Sequence, residues 1–259
     1  MVRRQSSEDR IAVSSVRGGL WVFNQDSRRN ERLLPQLFMT RYSVSSDGER
    51  VVFSAPDAEG KSHLWLASLN LRFSPRQFPS TVEESSPAFG LAGDLFFRAT
   101  EGKKYFLYRM KEDGTGRQKV TPDPILDLES VSPDGQWVIA AIEGSAEQFA
   151  AVAYSTSGGP PIAVCDVCHA LWGPDGKFLY VWFHGWGGAE VSRTFAVPVP
   201  PGKSLPLLPP SGFKSEADLG KVPGVRIIEY GAISPGPDPS NYAFVRTSVH
   251  RNLYRVPVP

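Results

Sequence analysis

Five consecutive residues, Cys165-Asp166-Val167-Cys168-His169, carry the densest reactive chemistry in the chain. Two thiols three apart, followed at once by an imidazole, spell a c-type haem attachment site: the thiols would capture vinyl groups and the His would bind iron. The same pair could instead close a disulfide, remain as paired thiols or begin a metal site. Zinc wants four ligands, and the other histidines, His63, His184 and His250, are scattered with no second ligand pair in view. Haem attachment also needs export, and the first nine residues, MVRRQSSED, are polar and hold no signal-peptide core. No second axial ligand is placed for the iron. A disulfide or paired thiols is the favoured reading, with no haem, other cofactor or metal expected.

The residues after the pentapeptide show what must position it. Gly173-Pro174-Asp175-Gly176 is a turn signal, and the apolar run Phe178 to Phe183 follows. Pro presets φ near −65° early in such a turn and Gly accepts φ > 0 later. This turn-plus-run recurs. "VSSDGERVVFSA" (Val44 to Ala55), "VSPDGQWVIAAI" (Val131 to Ile142) and "LWGPDGKFLYVW" (Leu171 to Trp182) are clear copies. "AFGLAGDLFFRA" (Ala88 to Ala99) is degraded, "AISPGPDPSNYAFVRT" (Ala232 to Thr247) is stretched, and "SSEDRIAVSS" (Ser6 to Ser15) lacks the glycine. The copies return about every 40 residues, except where a Pro-rich insertion, Pro198 to Gly224, lengthens the last interval.

Within a copy, a short strand leads into the turn and an apolar strand follows, often apolar on both faces, as expected of a strand sandwiched between neighbouring sheets. A third strand comes next, as in "HLWLASL" (His63 to Leu69), "FAAVAYS" (Phe149 to Ser155) and "NLYRVPV" (Asn252 to Val258). A weaker fourth strand closes most copies, as in "PPIAVC" (Pro160 to Cys165). Only "FKSEADLG" (Phe213 to Gly220) suggests a turn of helix. Cys165 then ends one copy, and His169 lies on the strand entering the next.

Four short antiparallel strands every 40-odd residues are the signature of a β-propeller. The phrases "SSDGERVVF", "SPDGQWVI" and "GPDGKFLYV" resemble the repeats of the TolB-like propellers, the PD40 class of WD40-like repeats. The resemblance covers essentially the whole chain. It implies an all-β fold: a single domain over 1–259, a six-bladed β-propeller of four-stranded antiparallel blades. The copies run roughly over 1–35, 36–80, 81–122, 123–165, 166–224 and 225–259. The first copy has little sequence before its turn, so its innermost strand is short or missing. The last copy ends after its third strand. Met1 to Gln5 could supply that missing edge; alternatively the chain is the tail of a longer protein.

Function is less legible. The 28 basic and 27 acidic residues leave a net charge of +1, which gives no electrostatic reason to expect nucleic acid or an anionic membrane as partner. Apolar residues make up 41%, enough for a sizeable core, yet no run approaches the length that crosses a bilayer. No Gly-x-Ser-x-Gly elbow is present, so no catalytic residue is assigned and no enzyme is expected. A metal-dependent, lactonase-like propeller would need carboxylates converging on the central channel, and inner strands such as "SPAFG" and "YGAIS" offer none. The turn residues Asp47, Gly48, Asp134, Gly135, Asp175 and Gly176 could be read as a carboxylate ring, but each Asp is better explained as capping its own turn. His184 and Trp186, in the loop after the Phe178–Phe183 run, are the candidate partner contacts, because loop aromatics anchor partners. The insertion reads as a loop packed over the propeller edge, or as a polyproline II segment that docks on an aromatic groove.

The resemblance implies a monomeric, non-catalytic interaction or scaffold domain that binds a protein or peptide through loops at one open end. By the same resemblance its setting is extracytoplasmic, although this chain shows no signal peptide. The rival is a sensor or ligand-binding propeller cut from a longer signalling protein such as a receptor-like Ser/Thr kinase.

Overall fold

The computed structural model describes residues 2–3, 10–14, 19–24, 27–35, 37–70, 72–144, 149–183 and 193–244. Apart from one short helix, they form strands and turns. The first sheet holds β1 (Val2–Arg3), β2 (Arg10–Ser14), β3 (Leu20–Asn24) and β4 (Arg29–Leu33). The second holds β5 (Arg41–Val44), β6 (Arg50–Pro56), β7 (Ser62–Ser68) and β8 (Arg76–Gln77). The third holds β9 (Glu84–Phe89), β10 (Asp94–Glu101), β11 (Lys104–Lys111) and β12 (Gln118–Lys119). The fourth holds β13 (Asp127–Val131), β14 (Trp137–Glu143), β15 (Phe149–Ser155) and β16 (Ile162–Asp166). The fifth holds β17 (Cys168–Trp172), β18 (Phe178–Phe183), β19 (Thr194–Pro198) and β20 (Arg226–Ile228), with α1 (Glu216–Leu219) before its last strand. A two-stranded sheet, β21 (Ser234–Pro235) with β22 (Tyr242–Ala243), comes last. Within each sheet the strands run antiparallel in chain order.

The side-chain period of two explains why these sheets stack. Leu95, Phe97 and Ala99 of β10 pack with Val52, Leu64 and Phe78 of the preceding sheet. Phe96, one residue out of phase, packs with Val138 and Ala140 of the following one. Ile139, again out of phase, joins Ala170, Leu179 and Val181 of the fifth sheet. In the stacked sheets the strand after the turn therefore buries both faces, as its sequence predicts. Burying one such side chain is worth about 2–3 kcal/mol, and a lone four-stranded sheet could bury only one face.

Four sheets stack in series, with β5 against β9, β9 against β13 and β13 against β17. These are the blades of a propeller, innermost strand to innermost strand. The first sheet leans on the first of them through Leu20 and Leu34. The two-stranded sheet leans on the last through Ile233 and Tyr242. The expectation of six four-stranded blades is met only in part: among the described residues four four-stranded sheets stack as blades, and the final sheet has two strands. Two details correct the sequence reading. Val2–Arg3 pairs with Ile11 and Ala12 in the first sheet, so this N-terminal strand is the short innermost strand of its own repeat. The fifth sheet closes with β20, beyond the insertion and past the copy boundary at 224/225, because the insertion leaves and re-enters between its third and fourth strands. The strand expected over Asn252 to Val258 lies outside the described residues.

Candidate functional site

The innermost strands of the four stacked sheets run side by side, so the propeller has two chemically distinct ends. At the end where these strands finish, the recurring turns close on themselves. Asp47 Oδ1 accepts from the Ser45 hydroxyl at 2.5 Å and the Glu49 amide at 2.9 Å. Asp134 Oδ1 accepts from Ser132 at 2.6 Å and the Gln136 amide at 3.0 Å. Asp175 Oδ1 takes the Lys177 amide at 3.0 Å. Burial pushes the Asp47 carboxyl up, but the Ser45 hydroxyl, the Glu49 amide and Arg50 outweigh it and hold it below the usual carboxylate range. Gly48, Gly135 and Gly176 all have positive φ. At Gly135 an added Cβ would also stand 2.8 Å from Leu91 Cβ in the preceding blade's turn. Each turn Asp thus serves its own repeat. Asp134 does more, because its second oxygen takes the Ser204 hydroxyl of the insertion at 2.5 Å.

At the opposite end, where the innermost strands begin, the partners come from different repeats. Arg41 opens β5, and its Nη2 donates to Asp127 Oδ2 at 2.9 Å, where Asp127 opens β13 two blades further on. Ser86, in the blade between, donates to Asp127 Oδ1 at 2.5 Å. Ser86 sits at φ 51°, beside an irregularity in the β9–β10 register. Arg98 of β10 donates to Ser85 Oγ at 2.6 Å and reaches the Leu126 carbonyl, with its guanidinium 4.4 Å from the Tyr105 ring centre. Glu129 sits at a register break in β13; such bulges re-aim side chains. One Glu129 oxygen meets His169 Nδ1 at 2.6 Å and the other accepts the Ala170 amide at 2.9 Å. The His169 ring lies between Phe149 and Trp182, at 4.9 and 5.2 Å between centres.

Arg41, Asp127, Glu129 and His169 from three of these innermost strands, with Arg98 from the neighbouring β10, therefore line one axial rim. Donors (Arg41, Ser86, Arg98) and acceptors (Asp127, Glu129) are held side by side on it, which suits recognition of a polar chain. Ser86 gives its proton to a carboxylate of another blade and so ties two innermost strands together. The sequence reading missed this rim. It took the inner strands as lacking carboxylates, whereas "DLESV" (Asp127 to Val131) brings Asp127 and Glu129. The available signal was that the first residues of successive inner strands are polar: "RYSV", "ESSPAF", "DLESV", "CHALW". Among the described residues, no group of three or more His, Cys, Asp or Glu is arranged to hold a metal ion.

The cysteine pair lies beside this rim. Cys165 on β16 and Cys168 at the start of β17 form a disulfide, with Cα atoms 5.9 Å apart. Both are buried, and Val167 between them takes φ 52°. The three groups of the haem-like pentapeptide are thus committed elsewhere: the sulfurs to each other and His169 to Glu129. His184 and Trp186, the expected partner contacts, lie outside the described residues.

The insertion is ordered and pinned. Phe213 N–H donates to the Val164 carbonyl at 2.8 Å, and the Asp166 amide donates to the Phe213 carbonyl at 3.2 Å, beside the disulfide. Lys214 pairs with Asp166 at 2.6 Å. Trp172 Nε1 donates to the Ser204 carbonyl at 2.7 Å. Phe213 and Leu219 are buried in the core shared by the fourth and fifth sheets. Of the two readings of the insertion, packing over the propeller edge is the one the structure shows.

The class that these sheets define is the β-propeller, and comparison with solved structures places its likeness among TolB-type members. A candidate TolB from Agrobacterium tumefaciens is 13% identical, with 84% of this chain and 76% of that one covered at a TM-score of 0.63. TolB from Acinetobacter baumannii is 13% identical, with 73% of this chain covered at a TM-score of 0.59. The chain spans 50% of the length of that protein. Oligogalacturonate lyase in complex with manganese is 12% identical, with 72% of this chain and 58% of that one covered at a TM-score of 0.54. No protein-family model matches the chain, and no curated protein matches it. At these identities the likeness is one of fold, and the fold carries both binding proteins and enzymes. Among the described residues no helix is long and apolar enough to cross a membrane.

Proposed function

We propose that the chain is a non-catalytic, monomeric interaction propeller that binds a protein or peptide across the axial rim. One observation carries this reading: Arg41, Ser86, Asp127, Glu129 and His169 come from four successive innermost strands and meet at one end. Charges of both signs on a preorganised frame favour specific recognition of an extended polar partner. The Arg41 side chain is 65% exposed, so it can exchange Asp127 for a partner's carboxylate at little cost. The TolB likeness supports a scaffold role, and the disulfide suits an oxidising, extracytoplasmic setting. On this reading β21 and β22 begin a sixth blade that completes the ring.

A second reading, a ligand-sensing propeller belonging to a longer signalling protein, is favoured by the ordered insertion, which has no part in the repeat.

The test is site-specific photo-crosslinking of the whole chain in an extract of its source cell. A crosslinker at Arg41 is compared with one at Arg109, on the outer half of the third sheet. A discrete protein adduct from the Arg41 position alone supports the rim. Adducts from the Arg109 position alone, or none from either, sink it.

A further inference from the structure

Away from the rim, the insertion lines an open cavity that the repeat has no use for. Its volume is about 550 Å³, and its walls include Pro200, Pro201, Leu208, Phe213 and Val222. The insertion holds this shape by its own hydrogen bonds. Lys203 N–H reaches the Pro200 carbonyl at 3.0 Å, Gly212 N–H reaches Pro209 at 2.9 Å, and Val222 N–H reaches Leu219 at 3.0 Å. Ser215 caps α1 through its side chain. Gly212 has φ 70°, and an added Cβ would sit 2.8 Å from the Val164 carbonyl, so the floor at Phe213 rests directly on β16. Proline rings and these anchors leave the walls little freedom to lose on binding, the condition under which a pocket gains affinity.

The size and the charges select an occupant. The volume exceeds that of one inserted side chain and falls in the range of small-molecule sites, which are mostly apolar with few polar groups. Only Asp218 and Lys221 bring charge to the lining. Asp218 is committed, because one oxygen accepts the Lys214 amide at 3.0 Å. Lys221 is not committed in the same way: its ammonium is 4.0 Å from Asp218 Oδ1, beyond hydrogen-bond distance, and its side chain is 80% exposed. A long stem of this kind can swing a cation over the mouth of an apolar pocket. We propose that the cavity binds a small molecule with an apolar body and a single carboxylate, the body among the prolines and the carboxylate on Lys221.

The experiment is calorimetric titration of the full chain with octanoate, 1-octanol and octylammonium. Octanoate is expected to bind saturably at one site, with octanol about fivefold weaker and octylammonium weaker still. Lys221→Glu should erase or reverse that order. Val222→Trp should fill the cavity and abolish octanoate binding, and Leu208→Phe provides a milder filling variant if the first does not fold by circular dichroism. Arg41→Glu should bind octanoate unchanged, which separates this site from the rim. No saturable octanoate binding, octylammonium binding as tightly as octanoate, or unchanged binding by a folded filling variant would overturn the proposal.

Discussion

The two ends of the propeller are built on opposite principles. At the turn end each Asp bonds first within its own repeat: Ser132 with Asp134, and Ser45 with Asp47, are two residues apart, and only then do Arg50–Glu112 and Ser204–Asp134 reach across. At the rim the contacts join repeats: Arg41 and Asp127 are separated by 86 residues, Ser86 and Asp127 by 41, and Glu129 and His169 by 40. Local closure lets each turn hold its own hairpin. The rim is assembled only when blades stand side by side, and its charges remain partly in solvent. One end is closed by contacts made locally along the chain; the other exists only once the blades are stacked.

The largest expected effect strikes the turn end. Gly135→Val asks a β-branched residue to adopt positive φ and drives it into Leu91. It should cost about 3 kcal/mol in urea unfolding. A loss under about 1 kcal/mol would mean that the turns do not set the blade spacing.

Next comes a charge that starts an innermost strand yet is wholly buried. Glu84 opens β9 with its side chain 0% exposed, paired with Arg117. Burial pushes its carboxyl above the ordinary value of 4.5, against the opposing pull of Arg117. A raised folded value means that this group's contribution is full below the unfolded value and is lost as pH rises through the folded one. Glu84→Gln should therefore gain stability on wild type, read by urea unfolding, as pH rises from 4 to 7. A gap that shrinks over that range would show that Arg117 outweighs burial.

The smallest effect sharpens the comparison itself. A double-mutant cycle on Ser132 and Asp134 should return about 1 kcal/mol of coupling. A cycle on Arg41 and Asp127 should return no more than about 0.5 kcal/mol, since that pair is open to water. Equal couplings would make the rim a structural brace.

These differences also govern what the sequence could reveal. The turns were legible because Pro, Asp and Gly state their backbone geometry within four letters. The sandwiched strands were legible because "WVIAAI" and "FLYVWF" are apolar at both phases of the period. The rim was not, because no local pattern ties Arg41 to Asp127; only the stacking of blades brings them together. The "CDVCH" pentapeptide misleads for the same reason, since its His169 is matched to Glu129 in the previous repeat. The cavity was hidden in the insertion, whose composition announced rigidity without saying what the rigid walls line. The short sixth sheet follows from "AISPGPDPSNYAF", where three prolines remove ladder donors and leave two-residue strands.

The most direct measurement is the affinity of the rim-crosslinked partner for wild type and for Arg41→Glu, read beside the thermal midpoint of each. The account predicts at least a tenfold loss of affinity with the midpoint unchanged, because Arg41 recognises and does not support. Equal affinity, or a loss matched by a fall in the midpoint, would contradict it.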